Sequence, residues 1–300
     1  MDKIKIGIPR SLFYYYDGYF LKNFFEYLNF EVVVSPKTNR SIINEGIKYS
    51  NDEMCLSLKI FLGHIAYLQD KCDYILTMRI DNYGKYDQTC TNFLSLYDIV
   101  NNLFEANVLN INIDYENRKN MYNELIKIGK KFGIPTKDIK KSYTRALIKT
   151  KKHNKNVQMS NKNKLYKEGL KILVVSHAYN INDEYIGKPI IDYLEQNKVN
   201  VILSNGFNTN EVKELSYSLC PNLYWYYNKE NIGALVNVMD KIDGVVFLSS
   251  IPCGPDSLVN ELVIRKINKP YINLIIDDLD SLTGIETRLE SFIDILEQKV

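Results

Sequence analysis

Short apolar runs alternate along the chain with longer segments in which apolar residues recur every three or four positions. The runs are typical of buried strands, and the spaced segments are typical of helices with one apolar face. In the first half, strands are predicted at 3–8, 31–35, 74–80 and 108–113, and helices at 11–29, 53–69, 93–104 and 116–132. In the second half, strands are predicted at 172–176, 199–203, 245–249 and 272–276, and helices at 184–196, 257–267 and 285–297.

This alternation of strands and helices, with short connections, is the pattern of parallel-sheet α/β domains. We therefore predict an α/β protein with two Rossmann-like, flavodoxin-like domains, each with a parallel sheet and related by an internal pseudo-repeat. The N-terminal domain is predicted at 1–135 and the C-terminal domain at 171–300. The segment 136–170 is basic and polar, and we predict a helical excursion and linker there.

The repeat is clearest in two matching segments. Asp73 opens one apolar run and Asp243 opens the other, and a cysteine follows each run, Cys90 in the first half and Cys253 in the second. Ligands of open parallel sheets bind beyond the carboxyl ends of the strands, where the strand order reverses. The two halves are therefore able to offer thiols to one crevice.

Composition places the chain among soluble globular proteins, with 45% hydrophobic and 25% charged residues. The formal net charge of +2 gives no signal for a nucleic-acid partner. No apolar run approaches the roughly 20 residues of a membrane-spanning helix, and the opening segment resembles a strand rather than a signal peptide. We expect a cytoplasmic protein without membrane contact. Its five cysteines are then expected as thiols or metal ligands, because disulfides are rare in that compartment.

Cys55 lies where a predicted helix begins, with Asn51 and Asp52 as predicted caps. A helix N-terminus stabilises a thiolate, because its N–H groups and its dipole favour negative charge. A buried, inert cysteine is the alternative interpretation. Cys72 precedes a strand and Cys220 precedes a proline, and both are expected to be packed or surface thiols.

Cys253 lies in a turn framed by two prolines, which restrict the backbone. Gly254, between them, allows a bulky ligand to approach the main chain. The alternative is an ordinary strand–turn–helix corner that carries an incidental cysteine. In either case Asp256 or Ser257 is expected to cap the helix that follows.

Three further residues are candidates for the cleft. His177 follows the first strand of the second half, a position typical of functional residues, although a structural histidine fits as well. Arg10 follows the first strand of the chain and is placed to meet an anion at a helix N-terminus. Ser250 follows the strand 245–249 and is expected as a hydrogen-bond partner for the same ligand. His64, in the middle of a helix, is expected to be a core histidine.

Taken together, these residues resemble the 2-hydroxyacyl-CoA dehydratase and benzoyl-CoA reductase superfamily, and more closely its activase-related, dehydratase-component-like branch. The resemblance covers nearly the whole chain. The segments that carry it are 5–10, 35–39, 52–55 with Lys59 and Gly63-His64, 177–180, 183–186, 252–257 and 287–290. The most specific are the opening segment and the Cys-Gly-Pro-Asp-Ser sequence that begins at Cys253.

The resemblance implies an oxygen-sensitive [4Fe-4S] cluster held between two domains by Cys55, Cys90 and Cys253. It also implies a partner, an ATP-dependent activator (activase) protein that carries its own cluster and delivers low-potential electrons. The implied activity is reduction or dehydration of a small substrate, for which an acyl-CoA thioester is a candidate. The Arg10, His177 and Ser250 side chains would then serve the cluster or the substrate.

The sequence also departs from the family pattern. Thr91 follows Cys90 where relatives have proline, Ala178 stands where they often have proline, and the Asp-Glu-His of relatives is Asp277-Asp278-Leu279 here. Two other functions therefore stay open. One is a non-catalytic subunit that carries a cluster or regulates an enzyme, and the other is a metal-free protein that binds a small ligand.

Overall fold

The computed structural model describes residues 3–277 and 282–298 and forms two compact units, Met1–Asn154 and Lys155–Val300. Each unit is built around its own four-stranded sheet, and every pairing between these strands is parallel. The predicted fold class, two Rossmann-like domains with parallel sheets and an internal repeat, is confirmed. The finer division at residues 135 and 170 stays a prediction.

The first unit has the strand order β2-β1-β3-β4. Its strands are β1 (Lys5–Ile8), β2 (Glu31–Val34), β3 (Tyr74–Asn82) and β4 (Val108–Asp114). Its helices are α1 (Tyr19–Tyr27), which a turn of π-helix at Tyr14–Gly18 precedes, α2 (Arg40–Lys48), α3 (Leu56–Leu68), α4 (Thr91–Leu103), α5 (Met121–Lys131) and the first part of α6 (Thr136–Leu165). The strand order reverses between β1 and β3, where doubly wound sheets bind ligands.

The second unit repeats this order as β6-β5-β7-β8. Its strands are β5 (Lys171–Val175), β6 (Asn200–Leu203), β7 (Gly244–Ser250) and β8 (Tyr271–Ile276). Its helices are α7 (Ala178–Ile181), α8 (Lys188–Gln196), α9 (Thr209–Val212), α10 (Tyr226–Val238), α11 (Gly254–Ile264) and α12 (Leu282–Glu297), with short 3-10 turns between some of them. The corresponding reversal lies between β5 and β7.

The two aspartates of the repeated segments hold the central strand pairs. The Lys5 backbone N–H donates to Asp73 Oδ2 at 2.7 Å, and the Asp73 N–H donates to the Lys5 carbonyl oxygen at 3.0 Å. Asp243 makes the same two bonds with Lys171, each at 2.8 Å. Each aspartate therefore fixes the start of one strand against the start of its neighbour, at the end of the sheet opposite the predicted ligand site.

Helices α2 and α3 pack with their backbones in direct contact at two glycines. A Cβ atom on Gly46 would lie 1.8 Å from the Lys59 carbonyl oxygen, and one on Gly63 would lie 1.9 Å from the Ile42 carbonyl oxygen. Only glycine permits this approach. The sequence pattern did not predict α2, because the helix is short and a glycine interrupts it.

Helices α3 and α11 begin at residues other than those predicted. The Asn51 side chain accepts hydrogen bonds from the Glu53 and Met54 N–H groups, both at 3.1 Å, but this turn ends before α3 begins at Leu56. Helix α11 begins at Gly254, which is earlier than the predicted 257. In both cases the residue just before the helix is a cysteine.

The core of the second unit lies between its sheet and the helices that cover it. One buried cluster joins strands β5 and β7 to helices α10 and α11, through residues such as Leu173, Phe247, Leu235 and Val259. Among residues 3–277 and 282–298, no helix combines the length and the apolar character needed to cross a bilayer.

Replacing Asp243 with alanine should destabilise the second unit. Loss of the carboxylate leaves the Lys171 N–H without its acceptor, and we expect the free energy of unfolding to fall by about 1–2 kcal/mol. Urea unfolding followed by circular dichroism measures this. Asp240→Ala is the control, because Asp240 is exposed nearby, and its effect should stay within about 0.5 kcal/mol. Equal effects of the two substitutions would contradict the role of Asp243.

Candidate functional site

Each of the three cysteines predicted as ligands is the N-cap residue of a helix. Cys55 precedes α3, Cys90 precedes α4 and Cys253 precedes α11. All three have extended backbone and are partly exposed. Helix N-termini stabilise negative charge, so these positions favour the thiolate form.

Two of these cysteines lie near each other in the first unit. The Asn92 side-chain amide donates a hydrogen bond to Cys55 Sγ at 3.4 Å. Asn92 belongs to the first turn of α4, the helix that Cys90 caps. The Cys55 sulfur therefore lies beside the N-terminus that begins at Cys90.

Arg10 is anchored to the end of the neighbouring strand. Its backbone N–H donates to Ser35 Oγ at 2.7 Å, and its Nε donates to the Ser35 carbonyl oxygen at 3.0 Å. Its guanidinium carbon lies 5.4 Å from the centre of the Tyr14 ring. The predicted role of Arg10 toward an anion stays a prediction.

His64 is fully buried, as expected of a core histidine. Its Nε2 lies 3.1 Å from Thr38 Oγ1. Burial, and to a smaller extent the charge of Arg10, lower the pKa of His64 to about 3. The His64 ring is therefore neutral at physiological pH.

His177 forms a buried pair with Asp256 in the second unit. His177 is the N-cap residue of α7, and its Nε2 lies 2.8 Å from Asp256 Oδ1. Asp256 lies in the first turn of α11. The expectation that Asp256 or Ser257 caps this helix was wrong, because Cys253 occupies the N-cap and the Asp256 carboxylate is bound to the imidazole.

Helix α10 supplies the polar side chains around this pair. Asn228 Nδ2 donates to Asp256 Oδ1 at 2.8 Å, and Asn231 Nδ2 lies 3.5 Å from His177 Nδ1. The Ser204 hydroxyl lies 2.9 Å from Asn231 Oδ1. All these side chains are buried, so the pair is embedded in a hydrogen-bond network rather than in solvent.

The Cys253 sulfur lies next to the His177–Asp256 pair. Donor atoms of His177, Cys253 and Asp256 all lie within 4.8 Å of one another. Burial is the largest single effect on the Asp256 carboxyl and acts to raise its pKa, but the interactions with His177, Asn228 and Cys253 together hold that pKa below its ordinary value. In the described part of the chain, Asp256 Oδ2 is buried and has no hydrogen bond of ordinary geometry.

A second buried carboxyl lies near His177. Burial raises the pKa of Glu230 from 4.5 to about 7, against smaller lowering effects of the Thr209 hydrogen bond and of His177. The Thr209 hydroxyl donates to Glu230 Oε1 at 2.5 Å. Lys229, which precedes Glu230 in α10, is also fully buried, and its Nζ lies 5.0 Å from the centre of the Tyr217 ring.

Sequence reasoning missed the contribution of α10. The available signal was an unbroken polar run, Asn228 to Asn231, in a helix whose other residues are largely apolar. Such a run is usually a solvent-exposed turn, but here all four side chains are buried.

The other candidate positions differ in their surroundings. Ser250 is buried at the end of β7. A Cβ atom on Gly254 would meet no described atom within 4 Å. Burial, followed by the charge of Asp73, raises the pKa of the Cys72 thiol to about 11, and burial raises the pKa of the Cys220 thiol. Cys72 and Cys220 are therefore protonated thiols at neutral pH.

The fold and the strand-end side chains define a doubly wound α/β protein with titratable groups at the carboxyl ends of both sheets. The chain belongs to the family described as the CoA enzyme activase uncharacterised domain (DUF2229), whose model matches residues 5–205. This family links the chain to the superfamily of 2-hydroxyacyl-CoA dehydratase activases and related proteins. The matched residues include Cys55, Cys90 and His177 and end before Cys253.

A search of curated proteins gives no significant match. Among solved structures, the chain is similar to ZnuA, with 9% identity, 99% of each chain covered and a TM-score of 0.31. It is also similar to an NtrC family transcriptional regulator from Clostridium acetobutylicum, with 11% identity, 100% of each chain covered and a TM-score of 0.21. These TM-scores are too low to support any inference.

The buried Glu230 predicts a pH dependence of stability. Because its folded pKa is raised, folding retains a proton between pH 4.5 and about 7 that the unfolded chain loses, so stability falls as the pH rises through this window. Glu230→Gln should remove this fall, measured as the melting temperature across that range. The exposed control Glu261→Gln should leave it unchanged. A parallel fall in wild type and Glu230→Gln would contradict the assignment.

Proposed function

We propose that this protein binds a [4Fe-4S] cluster through Cys55, Cys90 and Cys253 and receives electrons from a separate ATP-dependent activator. The proposed reaction is the reduction or dehydration of a small substrate. One observation carries the proposal: each of these three cysteines is the N-cap residue of a helix. Two of them lie in the first unit and one lies in the second.

The donor chemistry fits such a cluster. Iron–sulfur clusters take thiolate ligands, and each N-cap position favours the thiolate. Cys72 and Cys220 differ, because burial raises the pKa of both thiols. With three thiolate ligands, a four-iron cluster keeps one iron open, and when bound it supplies Lewis-acid or one-electron chemistry.

The surrounding side chains of the chain would tune and orient the ligands. The Asn92 amide donates to Cys55 Sγ, and hydrogen bonds to ligand sulfurs are one means by which a protein sets a cluster potential. The His177–Asp256 pair lies beside Cys253. Arg10 and Ser250 are proposed as polar partners for the cluster or the substrate.

The family description, which names CoA enzyme activases, supports an activator partner and an acyl-CoA substrate as proposals only. A cluster-carrying or regulatory subunit would have the same ligands. Turnover of candidate acyl-CoA thioesters in the presence of reduced activator separates the two: an enzyme consumes the substrate, whereas an accessory subunit oxidises the activator without doing so.

Iron content tests the ligand set. After anaerobic reconstitution, the wild-type protein should hold about four irons per chain with acid-labile sulfide. Cys55→Ala, Cys90→Ala and Cys253→Ala should each lose most of this iron, because a cluster with two thiolate ligands is poorly held.

Cys72→Ala and Cys220→Ala are the matched controls and should keep wild-type iron. Equal iron in Cys253→Ala and wild type, or equal loss in all five variants, would refute the ligand assignment. Colourless, iron-free wild-type protein would favour the metal-free, ligand-binding function.

A further inference from the structure

The side chains of His177, Cys253 and Asp256 form a second kind of site within the second unit alone. Their donor atoms lie within 4.8 Å of one another. Zinc binds imidazole nitrogen and carboxylate oxygen at about 2.0–2.2 Å and thiolate sulfur at about 2.3 Å. A single ion therefore reaches all three donors after small side-chain movements.

The site has features of a built one. His177 and Asp256 are each more than nine-tenths buried, and Asp256 Oδ2 has no hydrogen bond of ordinary geometry in the described residues. A buried, unbonded carboxylate oxygen is costly unless it receives a donor or a cation. The His177 ring is also held in place, stacked on Tyr179 at 4.9 Å between ring centres.

The hydrogen bonds behind His177 suit a metal ligand. The Ser204 hydroxyl has one proton but faces two acceptors, the Ser176 carbonyl oxygen at 3.0 Å and Asn231 Oδ1 at 2.9 Å. Turning the Asn231 amide by half a turn removes this conflict, since amide nitrogen and oxygen are interchangeable by shape. Asn231 Nδ2 then donates to Ser204 Oγ, and Oδ1 accepts from His177 Nδ1.

With its proton on Nδ1, His177 presents an unprotonated Nε2 toward Asp256. A histidine that ligates a metal characteristically donates its other ring N–H in this way. An unprotonated Nε2 and the Asp256 carboxylate oxygen would repel each other at the observed 2.8 Å between Nε2 and Oδ1, and a bound cation removes that repulsion.

We propose that His177, Cys253 and Asp256 bind one Zn²⁺ ion, with the fourth coordination position open to water. The thiol proton of Cys253 is released on binding. The zinc site does not depend on the proposed cluster. One consequence does rest on the proposed function: zinc and the cluster exclude each other, because both use Cys253.

Cobalt titration of the purified, cluster-free full chain tests the site, with CoCl₂ as the spectroscopic probe and ZnCl₂ as the competitor. We expect one Co²⁺ per chain, a sulfur-to-cobalt charge-transfer band, and displacement of that band by one equivalent of zinc. His177→Gln should weaken binding more than about tenfold. The exposed control His153→Gln should bind as wild type does.

Two cysteine variants separate this inference from the proposed function. Cys55→Ala should keep zinc and lose iron, His177→Gln should lose zinc and keep iron, and Cys253→Ser should lose both. Because Cys253 is partly exposed, its serine variant tests the site even if His177→Gln fails to fold. Cobalt binding without the sulfur band, or zinc affinity unchanged in Cys253→Ser, would overturn the inference. Wild-type protein that binds zinc but takes up no iron would refute the proposed cluster and support the zinc site.

Discussion

The pairing of the first and third strands in each sheet is the constraint on which the candidate sites depend. At one end of the pair, Asp73 or Asp243 binds the backbone of the first strand and sets the register. Because parallel strands share their direction, the opposite ends then emerge side by side. In the first sheet, Arg10 follows β1 and the segment that leads to Cys90 follows β3. In the second sheet, His177 follows β5 and Cys253 follows β7. In the second sheet, His177 and Asp256, far apart in sequence, thus come into contact.

The two units use the same edge of the sheet differently. In the first, the polar groups bind backbone and remain partly open, as Arg10 does on Ser35. In the second, an imidazole, a carboxylate and the amides of α10 are withdrawn from water. Burying such groups costs free energy unless they are hydrogen-bonded, and most of them are. Among the described side chains of this network, Asp256 Oδ2 has no hydrogen bond of ordinary geometry and therefore marks where the network is open to a further partner.

The strands and most helices were predictable from sequence because apolar runs and helical spacing are local signals. The cysteines also stood out locally, since each follows a strand or opens a helix. The His177–Asp256 pair was not predictable, because the local pattern assigned Asp256 to a helix cap, whereas its partner His177 lies at the start of another helix, α7. Nor was the role of Asn228 and Asn231, since polar residues in a helix are normally exposed. In each case a contact between distant segments overrode the local preference.

The glycine contact between α2 and α3 has a consequence for how this chain can change in evolution. At most crowded positions, a larger side chain is accommodated when its neighbour becomes smaller. Here the neighbours of Gly46 and Gly63 are main-chain carbonyl groups, which no substitution can shrink. The two positions are therefore closed to compensatory exchange and should remain glycine whatever changes elsewhere in the chain. Since Cys55 is the N-cap residue of α3, the orientation of that thiol depends on a contact that carries no chemistry of its own.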